Sequence, residues 1–143
     1  MPSPVEFAMS VFNDNFNCSQ AVFSAFASRF GVDEKTALRL ASPFGGGIAR
    51  QGEVCGAVTG ALLAIGLGLG SDTPSGKEQT YRLADQFLQE FKKKHGSLLC
   101  RQLIESDLST PEGWHKAKQA GKFTSVCPLL VKDAVQLVEG LLE

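Results

Sequence analysis

Histidine, tryptophan and tyrosine are scarce in this chain, with two, one and one copies among 143 residues. His95 and His115 could at most complete a mixed metal site, and both fall in polar stretches that read as solvent-exposed, so a histidine-built centre has little to draw on. Trp114 and Tyr81 read as packing residues. No carboxylates are paired closely enough in the sequence to suggest acid–base work, and no phosphate-loop, Rossmann, Ser-His-Asp or metalloprotease pattern is present. A net charge of −1 and a pI near 6.1 leave no broad basic face for a polyanion, so no nucleic-acid partner is expected. Lys92-Lys93-Lys94-His95 is the only basic cluster, and it stands where a helix should end, complementing the helix dipole.

Long apolar runs are equally few. Val54 to Gly70 is uncharged over 17 residues but carries five glycines and has no second span to match. It reads as a buried central helix, and no membrane partner is expected. The first residues lack the pattern of a secretory signal, which makes a cytoplasmic, thiol-reducing setting the expectation. Alternating strand patterns and internal repeats are missing too.

The apolar residues that are present recur at helical spacing. Phe7, Val11 and Phe12 mark a first helix after Pro4. Asn17 caps a second, which buries Ala21, Val22, Ala25, Phe26 and Phe30 and ends at Gly31. Asp33 caps a third that stops before Pro43. Gly45-Gly46-Gly47 forms a turn, preferred over an anion nest because no Gly-Lys-Ser/Thr follows it. The small-residue helix then runs from about Gly52 to Leu69. A long amphipathic helix turns Tyr81, Leu83, Ala84, Phe87, Leu88 and Phe91 inward and ends at Gly96. Ser97 caps the next helix, Thr110-Pro111 opens another, and Cys127-Pro128 opens the last. This predicts an all-α fold, one domain over residues 1–143, with about seven to eight mostly short helices around a Gly/Ala-rich central one.

Sulfur is the remaining source of chemistry. Cys18, Cys55, Cys100 and Cys127 each fall in the first turn of a predicted helix. There, unpaired N–H groups and the dipole favour a thiolate and lower its pKa from about 8.5. No two are closer than 27 positions, so Cys-x-x-Cys redox and zinc motifs are excluded and any shared site is assembled by folding. Gly52, Gly56 and Gly60, with Ala57 beside them, share a helical face. Each internal glycine costs about 1 kcal/mol against alanine, so something must approach that face closely, a neighbouring backbone or a cofactor.

Pro43-Phe44-Gly45-Gly46-Gly47, then Gly52-x-x-Cys55-Gly56-Ala57-x-x-Gly60-Ala61, with one earlier and two later cysteines, resembles the redox-active protein family named for its C–GCAxxG–C–C pattern. The chain departs from the label in placing Val54 before the cysteine and Gly56 between Cys55 and Ala57. All four cysteines of the pattern are present, and the resemblance implies a redox or metal-linked role for each. Three functions follow. The first is a four-thiolate metal centre of iron or an iron–sulfur cluster, carrying electrons or sensing, with Gly52, Gly56, Ala57 and Gly60 giving it room. The second is metal-free thiol–disulfide exchange with Cys55 as nucleophile. The third is a non-catalytic helical module with buried cysteines. A redox partner of unknown identity is expected under the first two, and a homo-oligomer is open.

Overall fold

A computed structural model describes residues 2–143. Among them the chain is all-α. Seven helices have eight residues or more: α1 (Pro4–Asn13), α2 (Cys18–Ala27), α3 (Glu34–Ala41), α4 (Gly56–Leu69), α5 (Lys77–His95), α7 (Pro111–Gln119) and α9 (Cys127–Leu142). Two further helices, α6 (Cys100–Leu103) and α8 (Lys122–Ser125), are single four-residue turns. The only strand-like feature among the described residues is an isolated antiparallel bridge between Val54 and Leu99. No described helix is long and apolar enough to cross a membrane.

The helix ends follow local chemistry. Asn17 accepts from the Gln20 N–H while the Gln20 side chain accepts from the Asn17 N–H, a capping box that satisfies two orphan donors at the start of α2. Asp33 caps α3, and Thr110 followed by Pro111 opens α7. Gly31 and Gly96 stop their helices in the left-handed conformation. Ser97 does not cap a helix directly: its Oγ takes the Leu99 N–H at 3.0 Å, and α6 starts at Cys100.

Helix α4 is apolar all round, so it is stable only with neighbours on several sides. It packs on α2, α5 and α9. The approach of α2 is close: a Cβ at Gly60 would sit 2.6 Å from the Ser19 carbonyl oxygen, and one at Gly56 would sit 3.1 Å from the Ser19 nitrogen. Ala57, Ala61 and Ala64 are fully buried beside them. The main core also takes in Phe26, Phe87, Phe91, Ile65 and the Val131–Val138 stretch of α9. Each large side chain so buried contributes about 1.5–3 kcal/mol. A smaller cluster of Cys100, Ile104, Leu108, Ala117 and Cys127 lies apart, and Phe12, Cys18 and Val126 border both.

Three expectations are corrected. The central helix starts at Gly56, not Gly52, because residues 46–50 take a left-handed course first. Tyr81 is exposed, since the inward stripe of α5 runs through Thr80, Ala84, Phe87 and Phe91 and Tyr81 stands about 100° round from it. His95 is not solvated: its side chain is 12% exposed, lies against Phe91, and places Nε2 2.9 Å from Asp133 Oδ2 on α9. His115 is exposed as expected.

Candidate functional site

The turn from Gly45 to Val54 does most to assemble the cysteines. Gly46, Gly47, Ile48, Ala49 and Arg50 all have positive φ, between 50° and 71°. Three of them carry a Cβ, and each such residue costs roughly 1–2 kcal/mol in this region. Backbone bonds hold the loop closed, with Ala49 N–H donating to Pro43 O (2.9 Å), Arg50 N–H to Gly45 O (3.0 Å) and Glu53 N–H to Gly47 O (2.9 Å). Gly47 must be glycine on steric grounds as well, because a Cβ there would lie 2.6 Å from the Cys100 Cβ.

The same loop then pairs with the chain before α6. Cys55 N–H donates to Leu98 O at 2.8 Å, and Cys100 N–H donates to Glu53 O at 2.7 Å. Two cysteines 45 positions apart are thereby fixed to one short bridge. Cys18 and Cys127 arrive from elsewhere, as the first residues of α2 and α9, which pack together. Cys55 is the N-cap residue of α4, and Cys100 begins α6. All four thus stand at helix starts, and all four line one cavity of about 910 Å³. None is in a disulfide.

The cavity is walled by apolar groups, among them Phe12, Phe16, Leu103, Ile104 and Trp114, and by the polar side chains of Asn13, Asn15, Asn17, Ser42 and Thr124, with Arg50 its one charged member. The Arg50 guanidinium lies over the Trp114 ring at 5.3 Å, and Lys118 Nζ approaches the same ring at 5.1 Å. Sequence reasoning missed Arg50 and assigned Trp114 to packing alone. An isolated arginine between Gly47 and Gly52, beside the cysteine block, was the signal that could have found it.

Acidity departs from the helix-start expectation. Burial pushes the Cys55 thiol up to about 12, although the N–H groups of Ala57 and Val58 pull the other way. Burial also lifts Cys100, to about 11. Removing a thiolate from water costs more than one helix terminus returns, so the lowered pKa expected at Cys55 is reversed. Cys18 and Cys127 behave as a pair. Proton sharing between them is the largest influence on each, raising Cys18 and lowering Cys127. The proton belongs on Cys18, which is further raised by burial and by the like charges of the other three thiols, whereas the backbone N–H of Cys127 favours its thiolate. Cys18 is also the one residue of the four that is half-buried, the other three being buried.

The glycines have identifiable neighbours. Gly52 lies outside the helix, at φ +73° against Arg101, and Gly60 faces Ser19, so α2 fills the room it leaves. Gly56 packs on α2 and also touches the cavity, while Ala57 is fully buried. Among the described residues, no three His, Cys, Asp or Glu side chains are gathered so as to hold a metal ion.

A family model described as "Putative redox-active protein (C_GCAxxG_C_C)" matches residues 16–141. No curated protein and no solved structure matches the chain.

Proposed function

Since the chain belongs to the C_GCAxxG_C_C family, whose description is redox activity, we propose that it carries two electrons by dithiol–disulfide exchange between Cys127 and Cys18. What supports this reading is that Cys18 and Cys127 begin two helices that pack together and that both line the cavity, with the Cys18 thiol raised and the Cys127 thiol lowered by their neighbourhood. The Cys127 thiolate attacks one sulfur of an oxidising disulfide. A mixed disulfide forms, the oxidant's S–S bond breaks, and the leaving thiolate takes a proton. Cys18 then gives up its proton and attacks Cys127 Sγ, releasing the second thiol. The oxidant gains two electrons and two protons, and the protein holds a Cys18–Cys127 disulfide. Cys55 and Cys100 stay protonated near neutral pH and frame the site.

Alkylation as a function of pH, followed by graded oxidation and peptide mapping, tests this. Cys127 should react first, with a midpoint below the ordinary 9.0, and the first disulfide should join it to Cys18. A first disulfide between other cysteines, or a Cys127 no more reactive than Cys55, would overturn it.

A second reading rests on the four thiols lining one cavity: a thiolate-ligated iron or iron–sulfur centre. The side chains as they stand do not fit a single ion, and the thiols would have to draw inward around a cluster. Anaerobic purification with metal analysis and visible spectroscopy decides it; a colourless protein with four free thiols rules it out.

A further inference from the structure

We propose that the oxidant accepted by this cavity is a small organic disulfide with an apolar or aromatic body and a carboxylate, and that Arg50 binds the carboxylate. The inference rests on the dithiol reading and adds the substrate class to it.

The cavity's volume, about 910 Å³, suits a small organic molecule. Its aromatic and aliphatic walls, Trp114 among them, favour an apolar body. The charge at the site is one-sided. Arg101 is engaged by Glu53 at 3.5 Å and by the Gly52 carbonyl at 3.2 Å, and Lys122 by Glu105 at 3.1 Å. Arg50 has no carboxylate partner among the described residues; its only described side-chain partner is the face of Trp114. A contact with a ring face uses none of the guanidinium N–H groups as hydrogen-bond donors to a carboxylate, and a guanidinium can take a carboxylate by two parallel hydrogen bonds.

The backbone supplies an independent argument. Ile48, Ala49 and Arg50 hold a left-handed conformation that residues with a Cβ avoid. Strained backbone persists where the surrounding structure enforces it and where the strained residue has a task. Here the strained turn ends at Arg50 and sets its side chain on the cavity that holds all four thiols.

The test compares two aromatic disulfides: dithiobis-nitrobenzoate, which carries a carboxylate on each ring, and uncharged dithiodipyridine. Rates of Cys18–Cys127 oxidation are measured for the wild type, Arg50→Gln and Arg50→Lys. Arg50 is exposed, so the variants should fold, and circular dichroism checks that they do. Arg50→Gln removes the charge-assisted hydrogen bonds to the carboxylate, and the anionic-to-neutral rate ratio should fall by about tenfold. Arg50→Lys should keep part of the preference, and added salt should shrink the wild-type ratio. A ratio independent of residue 50, with both probes still oxidising the pair, overturns the anion site and leaves the dithiol reading standing. Failure of both probes to produce the Cys18–Cys127 disulfide overturns both proposals.

Discussion

Ala49 keeps a φ of +50° with a Cβ attached, midway through the turn that delivers Arg50 and Cys55 to the cavity. Glycine at that position would relieve roughly 1–2 kcal/mol of backbone strain and give back about 0.5–1 kcal/mol in unfolded-state entropy. Ala49→Gly should therefore stabilise the protein by about 0.5–1 kcal/mol, seen as a higher urea midpoint at unchanged m-value. A lower midpoint would mean that the left-handed course is not the native one. This conformation was not legible in the sequence. Ile48, Ala49 and Arg50 carry no turn signature, and their backbone is held by bonds to Pro43 and Gly45 that exist only once the loop has closed. The helix-start position of the cysteines was legible, through Asn17 before Cys18 and Pro128 after Cys127. Their acidity was not, because burial dominates at Cys55 and burial is a tertiary property.

At the scale of the elements, the packing of α2 on α4 determines where Cys18 and Cys55 stand relative to one another. The glycine pattern on α4 foretold a close approach, and the partner proved to be the backbone of α2 at Ser19. Two glycines of the one helix separate propensity from packing. Alanine is worth about 1 kcal/mol over glycine in a helix interior. At Gly66 an added Cβ meets nothing within 4 Å, so Gly66→Ala should stabilise by about 0.5–1 kcal/mol. At Gly60 the same Cβ meets a carbonyl oxygen at 2.6 Å, and backbone cannot yield as a flexible side chain can. Overpacking costs of about 1–3 kcal/mol then outweigh the propensity gain, and Gly60→Ala should be destabilising by thermal or urea melts. Equal effects at the two positions would show that α2 does not press on α4. The amphipathic stripe of α5 was legible through Phe87 and Phe91, and it failed at Tyr81 because a residue one step off a helical stripe is apolar without being inward.

The whole molecule buries Cys55 in one apolar cluster and Cys100 and Cys127 in another, with Phe12, Cys18 and Val126 touching both, and that setting makes stability depend on alkaline pH. Unfolded thiols ionise near the ordinary 9.0, whereas native Cys100 holds its proton to about 11 and Cys55 to about 12. Between these limits the native state binds more protons than the unfolded state, so stability falls as pH rises. The stability that these two thiols confer is complete below about pH 9 and is lost through about pH 11 for Cys100 and about 12 for Cys55. Each contributes a slope approaching about 1.4 kcal/mol per pH unit inside its window. Cys18 and Cys127 shift in opposite directions and offset one another in part. The decisive comparison is with Cys55→Ala, which keeps every other titratable group in place. Urea unfolding under reducing conditions at several values from about pH 9.5 to 10.5 should give a slope shallower in Cys55→Ala by about one thiol's share, whatever the variant's absolute stability. Parallel slopes would mean that Cys55 ionises as readily in the fold as out of it, and the buried, protonated frame assigned to the Cys18–Cys127 pair would be lost with it.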